Sequence, residues 1–332
     1  MIYDKKGKME FSDFDNMVMS QDHCFLCGAK LNDENRTKEH IYPKWFQTKF
    51  NLWNEHLILL NSTRIPYRNL TIPCCNACNS EMSKYIEEPM KKAFEKGYES
   101  FIKADRDVIF SWLNKIAFGI LFKETTLKKE LSTQNSDTIF SEDKIYERKI
   151  QHIFLKSSVG KVKYQFEKPY SLLIFKINNS DNRYWSTESP ELKTFYMMAS
   201  NIGVICHLMD NGYNEGFFCQ HDDMKQLLSE ELSPVQFIEL CAKFQYKVSL
   251  FYRTPYYQLY KKIDDDEIGV ISNNIYGDAY SEWDNRIYAS FLQHYLESYG
   301  INCDYDELLV GDNVLTTLFK EDGSFNKNHC CN

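Results

Sequence analysis

Between residues 108 and 121 the apolar positions come in pairs four apart: Val108 with Ile109, Trp112 with Leu113, Ile116 with Ala117, and Ile120 with Leu121. This is the helical period, and the stretch predicts an amphipathic helix with a wide apolar face. Met82, Tyr85, Ile86, Met90 and Phe94 predict another helix over about 79–98. Pro89 should interrupt it, because proline has no amide hydrogen and its ring clashes with the preceding turn. From residue 150 the period changes. The stretches 150–156, 162–166, 171–177, 195–208 and 216–220 are β-branched and aromatic runs bounded by Gly, Asn, Asp and Ser, and they predict a mainly antiparallel sheet. Helices then return. Ser233-Pro234 is an N-cap with proline at the first helical position, opening a helix to about Tyr246. Trp283, Ile287, Phe291, Tyr295 and Leu296 stripe a last helix that Gly300 can end. Residues 1–20 read as a polar lead-in, 131–145 as a loop, and 264–267 as a solvated acidic turn.

The 332 residues suffice for two domains, and 43% hydrophobic with 15% aromatic residues predicts a globular chain. No apolar run suits a signal peptide or a bilayer span, so a cytoplasmic protein without a membrane partner is expected. The net charge of −8 argues against a globally basic nucleic-acid coat. The excess acid is uneven: the first hundred residues carry 14 basic and 14 acidic side chains, leaving 25 and 33 for the rest. Arg36, Lys38, Lys44, Lys49, Arg64 and Arg68 can form a local basic patch for phosphates, or be ordinary surface charge.

Eleven cysteines in a reducing compartment are thiols or metal ligands before they are disulfides. Cys206, Cys219, Cys241 and Cys303 lie among apolar neighbours and read as buried thiols. His23 reads as a surface residue, and His329, Cys330 and Cys331 as part of a frayed terminus. Cys24-x-x-Cys27 and Cys75-x-x-Cys78 are different. A thiolate pair at this spacing turns both sulfurs to one ion, and two pairs complete the tetrahedral shell of a structural Zn²⁺. Cys74 with Cys78 would give a three-residue spacer, which zinc also tolerates; Cys75 is preferred because it mirrors the first pair.

Between the pairs lie Lys38-Glu39-His40-Ile41-Tyr42-Pro43, then Asn69-Leu70, with Asn79 directly after the last cysteine. This stretch, about 20–95, resembles the zinc-bearing HNH endonucleases, also described as treble-clef or ββα-metal nucleases. The expected fold is α+β: a small zinc-stapled ββα-metal (treble-clef) module over 1–95, followed over 96–332 by a larger α+β domain with a mainly antiparallel sheet.

His40 suits a general base, since a neutral imidazole can take a proton from water at physiological pH. A divalent ion, Mg²⁺ or Mn²⁺, would then neutralise the phosphate and the leaving oxygen, with Glu39 and Asn79 as its oxygen ligands. Adjacent strand residues point to opposite sides, but the resemblance implies that Glu39 and His40 approach one phosphate from different sides, and that Asn69 steadies the loop carrying the histidine. Many relatives have a second histidine where this chain has Asn79, which tilts the expected ion towards Mg²⁺ or Mn²⁺. Glu87, two turns on, can add a carboxylate or face solvent; solvent is slightly preferred.

The expected activity is metal-dependent hydrolysis of DNA, in a bacterial or phage defence setting suggested by analogy with other HNH modules. RNA cleavage and a non-catalytic zinc adaptor are the alternatives. Residues 96–332 are expected to sense, bind a protein partner or oligomerise.

Overall fold

A computed structural model describes residues 14–130, 132–133, 136–157, 162–261, 268–273 and 275–327. The acidic run at 264–267, the terminal His329, Cys330 and Cys331, and most of the polar lead-in lie outside them. The chain is mixed helix and sheet, and its sheets are mainly antiparallel.

The elements run in order from β1 (Arg36–His40), α1 (Lys44–Lys49), β2 (His56–Ile58), β3 (Arg64–Pro66) and β4 (Thr71–Cys75) to α2 (Asn76–Met82). A π-helical turn, Ser83–Glu87, joins α2 to α3 (Glu88–Ala93), so the long helix expected here is remade at the predicted place, with Pro89 in the first turn of α3. After α4 (Tyr98–Phe101) come α5 (Arg106–Glu124), α6 (Glu142–Tyr146), α7 (Lys149–Ser157) and β5 (Val162–Tyr164). Then follow β6 (Ser171–Ile177), β7 (Trp185–Ser189), β8 (Thr194–Ala199), β9 (Ile202–His207), α8 (Tyr213–Gln220), α9 (Asp222–Gln226), β10 (Glu231–Leu232) and α10 (Pro234–Ser249). The last are β11 (Tyr257–Lys261), β12 (Ile268–Ser272), α11 (Asn285–Tyr299), β13 (Leu309–Val310) and β14 (Asn313–Val314).

Two compact units result, and they do not follow the expected division at residue 95. The first comprises 1–95, 103–165 and 259–270; the second comprises 96–102, 166–258 and 271–332. In the first unit α5 is the central element. It is not the amphipathic helix expected: Ser111, Asn114, Lys115 and Glu124 are buried along with its apolar residues, so almost its whole circumference is covered. Asp105 caps its start through Asp107 N and Val108 N. Residues 150–156 were expected as a strand and form the helix α7. Ile150, Ile153 and Phe154 share one face at helical spacing, and the tertiary contact with α5 outweighs the strand preference of isoleucine. The unit closes with a parallel pairing of Ile268, Gly269 and Val270 to Val162, Lys163 and Tyr164.

The second unit is built on a five-stranded sheet in the order β10-β6-β9-β8-β7, antiparallel except for the β10–β6 pair. The run 195–208 resolves into β8 and β9, joined by a tight turn at Ser200 and Asn201. Its central strands β8 and β9 are buried at every position, consistent with their continuous apolar sequence. Helix α10 carries the N-cap expected of Ser233, and Gln236 completes a capping box with it. Gly300, at φ +97°, ends α11 in the left-handed conformation that glycine adopts without strain. Residues 216–220 were expected as a strand but complete the helix α8. Gly212 is the N-cap of that helix, and Asp210 just before it accepts from Gly212 N and Asn214 N, satisfying an amide of the first turn.

Candidate metal centre and acid–base site

Strands β1 and β4 pair so that Arg36 faces Cys75, Thr37 faces Cys74, and His40 faces Thr71. The second cysteine pair is thus held at the end of a hairpin, with Cys75 as N-cap of α2 and its sulfur accepting from Cys78 N at 3.4 Å. The first pair folds back on itself through Gly28 N to Cys24 O, 2.9 Å, and docks on the hairpin through Phe25 N to Pro73 O, 3.0 Å. The ring of buried His152 reaches Phe25 O at 2.8 Å and holds the same turn from α7.

Four buried sulfurs converge as a result: those of Cys24, Cys27, Cys75 and Cys78 lie within 4.8 Å of one another, and Cys27 and Cys75 are 3.8 Å apart. Tetrahedral ligands ~2.3 Å from zinc stand roughly 3.8 Å from each other, so the cluster fits a metal such as zinc without rearrangement. The crowding also divides the thiols. Hydrogen bonding from Cys27 and the other sulfurs holds Cys24 down, while Cys27 and Cys78 are pushed up by their bonding to Cys24. Cys74 is 4.0 Å from Cys24, but its sulfur turns towards Cys75 O, and burial keeps it protonated. His23 is not drawn in; its ring bonds Ser20 Oγ at 2.9 Å. Cys206 and Cys241 are buried thiols of the second unit, whereas Cys219 and Cys303 are only partly covered.

Glu39 and His40 lie at the other end of β1. Glu39 is 5% exposed and meets the ammonium of Lys115, which is fully buried on α5. Glu87, the last residue of the π turn, reaches the same ammonium, and Lys115 Nζ also donates to His40 O at 3.0 Å. A π turn shifts the residues after it around the helix axis, and here Glu87 is carried inward where solvent exposure was the preferred reading. Gly119, one turn beyond Lys115, permits the approach: a Cβ there would lie 3.1 Å from Ile41 Cγ1. The cluster holds two carboxylates and one ammonium. Lys115 is held in its charged form by Glu39 and Glu87 against the cost of burial. Glu39 is pushed up, burial outweighing the opposing pull of Lys115.

His40 is half-buried and stacks on Trp53, with ring centroids 6.3 Å apart and 25° between planes. Its ring makes no hydrogen bond to any described residue. Burial, then the charges of Lys44 and Lys115, hold its pKa below the ordinary histidine value, with Glu87 opposing. Asn79 donates to Thr37 Oγ1 at 3.0 Å, two residues before Glu39 on the same strand and therefore on the same face. Asn69 does not steady the histidine loop: its side chain is exposed and bonds no described residue, and the hold comes from the backbone, Ile41 N to Leu70 O at 2.9 Å. In the basic patch Arg36 pairs with Asp22 at 2.9 Å, and Arg68 bonds Asn54 Oδ1 at 2.6 Å and Trp53 O at 3.2 Å.

Sequence reasoning missed Lys115. It stands 75 positions from His40, and the signal that could have found it is a lysine inside an apolar helical stretch.

The chain matches no protein-family model, no curated protein and no solved structure. No described helix is long and apolar enough to cross a membrane.

Proposed function

We propose that the first unit is a metal-dependent HNH-type endonuclease that hydrolyses phosphodiester bonds in DNA, with His40 as general base. The observation that carries this reading is the imidazole itself. It is half-exposed at the end of a strand anchored by the four-sulfur cluster, unbonded at both nitrogens to described residues, and held neutral by burial and two lysines. A neutral ring with a free nitrogen is what abstraction of a proton from water requires.

Glu39 and Asn79, with Glu87 as an addition, are the oxygen donors that would hold Mg²⁺ or Mn²⁺. Such an ion would supply charge neutralisation at the scissile phosphate and leaving oxygen. Glu39 and Glu87 share the ammonium of Lys115, and their remaining carboxylate oxygens are the donors a further cation would draw on. Lys115 fixes Glu39 and, through His40 O, the backbone of the base, so it acts as a positioning residue. Lys44, beside the imidazole, offers a cation for a substrate phosphate.

A second reading, a non-catalytic zinc adaptor that binds nucleic acid or protein, is favoured by the coverage of Glu39 and its existing bond to Lys115. A plasmid-nicking assay with Mg²⁺ or Mn²⁺, run beside a matched RNA, separates the readings. Nicking that is lost in His40→Ala with bound zinc retained supports the nuclease. Cleavage of RNA alone overturns the substrate, and unaltered nicking in His40→Ala overturns the base.

A further inference from the structure

We infer that the second unit carries a binding site for a flat aromatic anion of mononucleotide size, in the cleft between α8 and α10. The cleft has a volume of about 290 Å³, at the lower end of the ~300–1,000 Å³ typical of small-molecule sites. That is room for one ring system and its substituent, not for an oligonucleotide.

Its walls are largely aromatic, and among its charged groups the two lysines Lys243 and Lys247 outnumber the one carboxylate, Asp223. Phe217 and Phe218 come from α8, Phe244 from α10, and Trp283 from the segment before α11, so aromatic side chains from three parts of the unit border one space. Lys243 and Lys247 sit one turn apart on α10 and both line it. Like charges at this spacing repel in an isolated helix, and among the described residues neither lysine has a carboxylate within ion-pairing distance. Lys247 is held instead between two rings, 3.9 Å from the centroid of Tyr280 and 4.4 Å from that of Phe217. Asp278 acts on it only from further away, and exposed Asp223 at the cleft edge offsets one of the two positive charges.

The floor is already rigid. Asn214 spends its amide on His207 Nδ1 and Asp210 Oδ2, at 3.0 and 2.9 Å, and accepts from Tyr280 at 2.9 Å. Ser171 Oγ donates to the same Asp210 at 2.6 Å. The serine, histidine and aspartate of this cluster are therefore a satisfied buried network and not a nucleophile with its base. Both N–H donors of Asn214 are spent, so recognition of an anion falls to the aromatic rings and the two ammonium groups. Stacking suits a planar π system, and the lysines suit one phosphate or carboxylate on it.

The test is calorimetric titration of the zinc-loaded full chain with adenosine, guanosine, cytidine and uridine monophosphates, with adenosine and hexyl phosphate as controls. At least one monophosphate should saturate a single site. Lys243→Gln and Trp283→Ala should each weaken it at least tenfold with unchanged melting temperature, while His40→Ala leaves it unchanged. Lys243 and Trp283 are each partly exposed, so both variants are expected to fold. Adenosine binding as tightly as its monophosphate would remove the anion requirement, and hexyl phosphate binding as tightly would remove the ring requirement. Either result overturns the site, as does a complete lack of saturation, or loss of binding in His40→Ala with retention in Lys243→Gln. Because the site is independent of the nuclease reading, failure of one leaves the other standing.

Discussion

The first unit and the second solve the same problem by different chemistry. The first places charge and thiol at its centre: four sulfurs at one end of a short hairpin, and an ammonium between two carboxylates at the other. The second places apolar surface at its centre, with β8 and β9 covered at every position and packed under α10. Small sheets of two strands are marginal in water without such help, whereas a five-stranded sheet with a helix across it needs no ion. A polar centre is costly to build, and keeping one is physically reasonable where it also presents reactive groups.

The largest expected difference follows from removing metal. Structural zinc contributes on the order of 10 kcal/mol to small modules of this kind. A strong chelator, or Cys24→Ser, should therefore unfold the first unit's hairpin while amide protection across β6 to β9 persists, as hydrogen exchange would report. Cys74→Ser should keep its metal; if it loses the ion and Cys75→Ser retains it, the ligand set is wrong.

Next in size is Lys115→Met. It leaves Glu39 and Glu87 facing each other without their cation, a loss of about 3–5 kcal/mol for a broken buried pair. Adding Glu39→Gln and Glu87→Gln to that variant should recover much of it in urea unfolding. No recovery would mean that packing, and not charge, sets the role of Lys115.

The matching perturbation in the second unit is steric. A Cβ at Gly203 would fall 2.6 Å from Phe237 Cε2 and 2.8 Å from Ile177 Cδ1, so Gly203→Ala should cost about 1–3 kcal/mol through overpacking. A neutral or stabilising result would show that the core is looser than its coverage implies.

The smallest effect is common to both units. His152 in the first and His207 in the second are pushed down, by burial above all, so each is neutral when folded over a range where the unfolded chain binds a proton. Stability should accordingly be retained above the unfolded histidine value of roughly 6.5 and decline as pH falls below it, by about 1.4 kcal/mol per pH unit for each histidine until its folded pKa is reached. Asn replacing His152 should flatten that slope for the first unit alone.

Legibility in the sequence tracks how local the cause is. The strand β6 and the start of α10 were readable because an apolar run and a Ser-Pro helix start are properties of neighbouring residues. The convergence of two cysteine pairs was readable from spacing. Helices α7 and α8 were misread as strands because their isoleucines and phenylalanines favour strands locally, while α7 packs on α5 and Asp210 satisfies an amide in the first turn of α8. Lys115 was missed, and Glu87 was turned outward by expectation, because a single π turn and a close glycine approach bring them to Glu39.

The late return of Ile268, Gly269 and Val270 to β5 sets an order on biosynthesis. A ribosome releases β6 through β10 of the second unit before it has made the strand that completes the first, and α11 of the second unit only after it, so neither half is complete before the other has begun. Any proteolytic or engineered stop near residue 165 would strand the β5 edge without its neighbour, and an open edge of that kind invites association with other chains.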